Sequence, residues 1–184
     1  MIISGTFGRT ELPPRFIRFF NTIYLPELEE ESLVLIFSEI TRGFFQRFKI
    51  KNEIMELITN KSIVNSTLNL YAMVRAELLP TPEKSHYSFN LRDVSRVFQG
   101  LSLVKQSTLS SPEVLVKLWV HEFQRVFEDR LINEKDKMFI REELGKKVAV
   151  SLKSHLTQET LFESPIFFCS FLRKGQEKKD WLYE

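Results

Sequence analysis

The sequence predicts a mainly α protein, a helical bundle that is preceded by one short strand. Two observations lead to this prediction. Apolar residues recur at three- and four-residue spacing along most of the chain, and several segments begin with strong helix start signals. The composition agrees, because 184 residues include 17 Phe but only 6 Gly and 7 Pro. Helices with such apolar faces must pack on one another, which favours a bundle.

The first part of the chain is predicted to be loop followed by strand. Residues 1–14 contain two glycines and two prolines, which favour loop. Over 19–26, Phe19-Asn21-Ile23-Leu25 alternate with Phe20-Thr22-Tyr24-Pro26, which predicts a short strand ending at Pro26. One strand cannot form a sheet, so we expect its partners to lie outside this chain.

Three helices are predicted in the first half. An acidic group at 27–31 begins a helix that runs to about Phe48, because carboxylates are favoured at the positive end of a helix dipole. Its apolar face is expected to comprise Leu33, Ile36, Phe37, Ile40, Phe44, Phe45 and Phe48. Further helices are predicted over about 52–59 and 65–79, and prolines end the second of them. Its inner side is expected to comprise Leu68, Tyr71, Ala72, Arg75 and Leu78.

The second half carries clearer start signals. Asn90 is a predicted N-cap, and Asp93 three positions later completes a capping box. Ser111 followed by Pro112 predicts another start, with a helix to about Leu131. A last helix is predicted over about 135–154, with an inner side formed by Phe139, Leu144, Val148 and Leu152. The tail, 165–172, is a possible strand.

Composition narrows the class of function. The 26 basic and 24 acidic residues are interleaved and give a net charge of +2, so we expect no nucleic-acid partner. The basic run at 173–179 is interpreted as a solvated segment. The single cysteine, Cys169, is predicted to be a buried, inert thiol in a reducing compartment. No signal peptide is found and no apolar run approaches the ~20 residues of a membrane span, so we expect a cytosolic protein without a membrane partner.

Motifs for catalysis or metal binding are missing from the sequence. A phosphate-binding loop needs GxxxxGK[ST], and the segment 5–10 has the wrong spacing and no lysine. His121-Glu122 begins like a HExxH zinc helix, but Arg125 stands where the second histidine should be. We therefore expect no catalytic residue and no metal ligand.

Two arginines are candidates for contact with phosphate. Arg92 lies in the first turn of its predicted helix, where a cation meets the positive dipole end at a cost of about 0.3–1 kcal/mol. Residues that break a local rule are candidates for function, but Arg92 can equally pair with Asp93 or another acid. Arg15 follows two prolines on a stiff backbone and can present its guanidinium outward. It can also be an ordinary surface arginine beside a packed Phe16.

Three long motifs together resemble those of dynein heavy chains. They are GRTELPPRFIRFF at 8–20, LPTPEKSHYSFNLRDVSRVFQG at 79–100 and LWVHEFQRVFEDRL at 118–131. The resemblance runs in register over about 7–136, to the end and small lid subdomain of the third AAA+ module, with the axonemal type favoured. Thr10 departs from the family, which commonly has Asn there.

This resemblance implies a fold and a division of the chain. The expected fold is an AAA+ small-subdomain helical bundle preceded by one edge strand of a truncated large subdomain. Residues 1–28 would be the C-terminal remnant of the large subdomain, 29–132 the lid bundle, and 133–184 a connecting helix and the start of the linker to the next module.

The resemblance also implies roles. Arg92 occupies the sensor-two-like position, which faces the nucleotide of its own module, and Arg15 occupies the arginine-finger-like position, which faces the nucleotide of the preceding module. The phosphate loop and the Mg²⁺-holding strand would lie upstream of Met1. The isolated chain is therefore expected to bind no cofactor and to hydrolyse no ATP, whereas the intact motor would hold ATP or ADP.

The implied partners are those of a motor: neighbouring AAA+ modules of the same heavy chain, and other dynein subunits and microtubules through the full motor. The implied location is the cytoplasm and cytoskeleton, in the axoneme of a cilium or flagellum. An alternative is a stand-alone all-α interaction module. A lid by itself would leave the face of Ile17, Phe19 and Ile23 uncovered, whereas a finished module would bury that face.

Overall fold

A computed structural model of the chain describes residues 13–21, 23, 26, 28–150, 152, 156, 161–163 and 166–169. Within these residues the chain forms seven α-helices and one π-helical turn. The helices are α1 (Pro14–Ile17), α2 (Glu30–Phe45), α3 (Asn52–Thr59), α4 (Ser62–Glu77), α5 (Leu91–Leu101), α6 (Pro112–Phe123) and α7 (Glu134–Val150). The π-turn, Gln124–Glu128, directly follows α6. The predicted mainly α fold is confirmed.

Helices α4 and α6 make most of the packing contacts of the bundle. Helix α6 packs against α3, α5 and the π-turn, and α4 packs against α2, α3 and α7. Trp119 of α6 is fully buried, and its Nε1 donates to Thr67 Oγ1 of α4 at 2.8 Å. Phe123 and Phe127 stack with ring centroids 4.4 Å apart. These contacts join most of the helices in one hydrophobic core.

The predicted face of α2 is partly wrong. Ile36 and Ile40 are 42% and 53% exposed, whereas the buried residues are Phe37, Ser38, Thr41 and Phe45. Thr41 is accommodated because its hydroxyl donates to the carbonyl of Phe37 at 2.7 Å. The helix has apolar residues around most of its circumference, so spacing alone could not select the buried stripe. On α4, the predicted Ala72 and Arg75 are likewise exposed.

Neither predicted strand is seen at the residues that the structure describes. Pro14–Ile17 form α1, where the sequence predicts loop, because Pro13 precedes a helix with proline at its first position. Residues 18–20 form turns, and positions 21, 23 and 26 are irregular. A strand is held by hydrogen bonds to a neighbour, and residues 18–21, 23 and 26 are not assigned to any strand. In the tail, residues 166–169 are irregular and the rest of 165–172 is outside the described residues.

Helix α7 joins the same core as the other helices. Its buried side chains are Ile140, Leu144 and Val148, so Leu144 and Val148 are buried as predicted, and Leu152 is buried just beyond the helix end. Phe139 is only partly buried. None of the described helices has the length and apolarity that crossing a membrane requires.

Candidate functional site: the start of helix α5

The predicted capping box at the start of α5 is formed. The side-chain oxygen of Asn90 accepts the backbone N–H of Arg92 at 2.9 Å. In return, the Asp93 carboxylate accepts the backbone N–H of Asn90 at 3.0 Å. Two N–H groups that lack helical partners are thereby satisfied. The first of these bonds holds the backbone N–H of Arg92, and the second holds that of Asn90.

The side chain of Arg92 is exposed at this helix start. Asp93, the nearest acid in sequence, pairs instead with Arg130 at 3.3 Å and with Arg96 at 3.6 Å. Across the part of the chain that the structure describes, no carboxylate forms an ion pair with Arg92. The guanidinium therefore stands at the positive end of α5 without the compensation that an acid would give.

A polar clamp holds the loop before α5 against the start of α7. Lys84 Nζ and Asp136 Oδ2 are 2.6 Å apart, and the Tyr87 hydroxyl donates to the same oxygen at 2.9 Å. Tyr87 also accepts the backbone N–H of Ile132 at 3.1 Å. Burial raises the pKa of Asp136, but the hydrogen bonds from Lys84 and Tyr87 outweigh it and hold this pKa below its ordinary value of 3.8. The same bond raises the pKa of Lys84 above 10.5.

Arg130 makes a second connection between these segments. Its Nη2 donates to the carbonyl of His86 at 2.9 Å, and His86 Nε2 donates to the carbonyl of Arg130 at 2.9 Å. The guanidinium lies 5.1 Å from the ring centroid of Phe89. Much of the motif at 79–100 thus serves to fix the loop that leads into α5.

Arg15 lies elsewhere, on a short helix with no buried residue. It is exposed, and the neighbouring Phe16 is 42% exposed and in contact with the ring of Phe20 at 5.0 Å. The alternative of a surface arginine beside a packed Phe16 is therefore incomplete, because Phe16 is not in the core.

Comparison with known proteins identifies the fold. Residues 63–159, more than half of the chain, match the model of the AAA+ lid domain, and this range contains α5 to α7 and all of α4 except its first residue. The chain belongs to the AAA+ lid domain family. As an AAA+ lid, it has its candidate site at the start of a helix that lies inside the matched range.

Over nearly its full length this AAA+ lid is similar to axonemal dynein heavy chains. It is 37% identical over 179 residues to human dynein axonemal heavy chain 6, and 38% identical over 177 residues to human dynein axonemal heavy chain 10. Both matches cover 96% of this chain and 4% of the relative. Mouse dynein axonemal heavy chain 1 is 34% identical over 182 residues, covering 95% of this chain and 4% of the relative. The chain thus spans about 4% of the length of these relatives.

The His121-Glu122 pair of the lid is used in packing. Glu122 is fully buried and pairs with Arg125 at 2.6 Å. Its carboxylate lies on Gly100 of α5, where an added Cβ would be 1.9 Å from Glu122 Oε2. His121 Nδ1 donates to the carbonyl of Ile166 at 2.9 Å. Among the described residues no group of three or more His, Cys, Asp or Glu side chains is arranged to hold a metal ion.

The π-turn after α6 is a feature that sequence reasoning missed. The sequence predicts a helix that runs uninterrupted to about Leu131, but residues 124–128 form a π-helix. Glu128 in this turn is buried, accepts from Gln124 at 2.8 Å and pairs with Arg141 of α7 at 2.5 Å. The sequence carries no local signal of this turn, because Glu128 and Arg141 are 13 residues apart.

Two further predictions concern the segment 5–10 and Cys169. The glycine-containing segment 5–10, with Thr10, is outside the described residues. The prediction that Cys169 is buried is wrong, because its side chain is only half-buried and carries a free thiol.

Proposed function

We propose that this chain is the lid of the third AAA+ module of a dynein heavy chain, and that it couples the nucleotide state of that module to movement of the ring in ATP-driven microtubule-based motility. The similarity to axonemal dynein heavy chains over most of the chain supports the parent protein. The single observation that carries the coupling role is the exposed, uncompensated guanidinium of Arg92 at the start of α5.

The physical reason is that a bound phosphate turns an unfavourable electrostatic contact into a favourable one. A cation beside the positive end of a helix is unfavourable in the free lid, but a phosphate placed between them is attracted by both. A fixed guanidinium can also donate two parallel hydrogen bonds to phosphate oxygens. In the proposed motor, Arg92 holds the ATP or ADP of its own module, and loss of a phosphate weakens that contact and releases the lid.

Arg15 is proposed to act in the second contact, as an arginine-finger-like residue facing the nucleotide of the preceding module. Its exposure on α1, after two prolines that stiffen the backbone, supports this role. Cations of this kind stabilise charge that develops on a transferred phosphoryl group. In this proposal the partners of the lid are the neighbouring AAA+ modules, and other dynein subunits and microtubules are reached only through the full motor of the axoneme.

We infer that the isolated chain does not turn over ATP or retain nucleotide. Its sequence has no GxxxxGK[ST] loop to bind phosphates. A steady-state phosphate-release assay on the purified chain is expected to show no rate above that of a blank. Turnover that scales with the concentration of pure chain would contradict this inference.

The coupling role is tested in a complete heavy chain that carries this lid. Arg92→Ala is expected to weaken nucleotide retention by the third module by about ten- to a hundredfold, the effect of losing one charge-assisted contact of roughly 1.5–3 kcal/mol. It should also shift the ATP dependence of microtubule gliding. Arg47→Ala, at another exposed arginine, is the matched control and should change neither. Equal retention in both variants would refute the role of Arg92.

A stand-alone interaction module is the alternative, and the exposed apolar residues bear on it. Ile17, Phe19 and Ile23 are 38%, 73% and 81% exposed. The lid interpretation expects this face to be uncovered in the isolated chain, whereas a finished module would bury it. The exposure therefore favours the lid.

A further inference from the structure

We propose that Arg130 is the positioning residue that fixes Arg92 at the start of α5. This inference rests on the proposed nucleotide contact of Arg92 and adds the group that holds it in place. Arg130 joins three segments: the 86–89 loop, the first turn of α5 and the turn that comes after the π-turn.

The connection to Arg92 runs through two side chains. Arg130 Nη1 is 3.3 Å from Asp93 Oδ1, and the other Asp93 oxygen accepts the backbone N–H of Asn90. Asn90 in turn accepts the backbone N–H of Arg92 at 2.9 Å. The Arg130 guanidinium is therefore linked to the Arg92 backbone through one carboxylate and one amide.

The carboxylate in this path depends on Arg130. The Asp93 side chain is only 5% exposed, and a buried carboxylate without a partner is costly. Its second cationic partner, Arg96, is farther away at 3.6 Å and is 56% exposed, whereas Arg130 is 30% exposed. An exposed ion pair is screened by water and contributes little. Arg130 is thus the stronger of the two partners.

Other contacts fix Arg130 itself. It exchanges two hydrogen bonds with His86, and its guanidinium lies over the ring of Phe89. The π-turn also contributes, because each residue of an α-helix advances the chain by about 100° and a wider turn changes the direction of the residues after it. An uninterrupted helix over 112–131 would present Arg130 in a different direction.

Rigidity of this kind matters for a sensing residue. A contact with phosphate is strong only when the cation is held in place before the ligand arrives, since ordering a mobile segment offsets part of the binding free energy. Loosening the first turn of α5 should therefore weaken the response to nucleotide without removing any group that touches it.

Amide hydrogen exchange in the 184-residue chain tests the positioning role directly. Arg130→Gln is expected to speed exchange of the Arg92 and Asn90 amides by about tenfold relative to amides in the middle of α4, since it removes the charged partner of a buried acid. Arg130→Lys, which keeps the charge but loses the planar fork, should give an intermediate rate. Arg96→Gln is the matched control and should change these rates by less than about threefold.

The outcomes separate this inference from the proposed function. Unchanged exchange at Arg92 in both Arg130 variants overturns the positioning role, whatever the motor does. If Arg130→Gln does not fold, the Arg130→Lys rates decide the matter alone. In a complete heavy chain, Arg130→Gln should shift the ATP dependence of gliding in the same direction as Arg92→Ala. If Arg92→Ala shifts the ATP dependence of gliding and Arg130→Gln does not, only the positioning role is refuted. If Arg92→Ala does not shift it, nucleotide sensing is refuted, and the hydrogen-exchange result still decides the positioning role.

Discussion

The Asp136 carboxylate links pH to the stability of the clamp beside α5. Its pKa lies below 3.8 because hydrogen bonds from Lys84 and Tyr87 outweigh burial. An acid with a lowered folded-state pKa stabilises the fold above its ordinary pKa, and this contribution is lost as pH falls through the lowered value. The raised pKa of Lys84 keeps the pair charged until pH rises beyond 10.5. The contribution of the clamp to the free energy of unfolding should thus be constant between about pH 5 and 10.

Asp136→Asn is therefore expected to destabilise the chain at pH 7, by on the order of 1 kcal/mol. The difference from the unmodified chain should vanish as pH falls towards about 2, where both lack the charge. Urea denaturation at a series of pH values measures this. Glu56→Gln, at an exposed carboxylate on α3, is the control. A difference that persists undiminished at the acid end of the series would contradict the assignment.

A second prediction concerns the stability of the isolated chain when Arg92 is replaced. Because it is an uncompensated cation at the positive end of α5, Arg92→Ala should leave the isolated chain equally stable or stabilise it by about 0.3–1 kcal/mol. Arg130→Gln should instead destabilise the isolated chain, because it leaves the buried Asp93 carboxylate with only its weaker partner, Arg96. Thermal unfolding of both variants gives the comparison. A marked loss of stability in Arg92→Ala would mean that the side chain has a structural role.

Replacing two helical glycines with alanine should change the stability of the chain in opposite directions. An added Cβ at Gly100 of α5 would be 1.9 Å from Glu122 Oε2 and 2.1 Å from its Cδ, both in a fully buried side chain. Gly100→Ala should therefore destabilise the chain by about 1–3 kcal/mol. At Gly43 of α2 an added Cβ meets nothing within 4 Å, so Gly43→Ala should stabilise it by about 0.5–1 kcal/mol.

Chemical denaturation of the two alanine variants provides the test. A third measurement locates the cause: in the Gly100→Ala background, Glu122→Ala should cost less than it does alone, because it removes the atoms that clash. Equal costs in the two backgrounds would show that the close packing of α5 on α6 is not the reason.

Local signals in the sequence account for the elements that could be predicted. The start of α5 is set by Asn90 and Asp93, whose side chains cap the helix without help from distant residues. Helix α3 also has the predicted bounds. These features depend on neighbours in sequence.

The features that could not be predicted depend on partners distant in sequence. The π-turn is accompanied by an ion pair between Glu128 and Arg141, 13 residues apart, and local pattern gives no sign of it. The inner face of α2 depends on its packing against α3 and α4, and on Phe98 of α5, whose ring is stacked on Phe37 at 4.7 Å. For Arg92, the sequence left open a salt bridge with Asp93, and only the placement of Arg96 and Arg130 showed where that acid pairs.

For the whole molecule, the exposed apolar surface predicts self-association. Phe19 and Ile23 are 73% and 81% exposed near the start of the chain, and exposed apolar patches of this kind favour contact with other surfaces. The isolated chain should show a sedimentation coefficient that rises with concentration. Replacing both residues with serine should abolish this rise, whereas Met138→Ser, at a residue that is 56% exposed on α7, should not. A monomeric unmodified chain would favour the stand-alone module.

The most direct test of the central claim is a structure of a complete heavy chain that carries this lid, with nucleotide bound to its third module. The distance to measure is that between the Arg92 guanidinium nitrogens and the nearest phosphate oxygen. We expect a hydrogen bond of about 3 Å, with the capping box at Asn90 and Asp93 intact. An Arg92 that remains in solvent, or that pairs with an acid while nucleotide is bound, would contradict it.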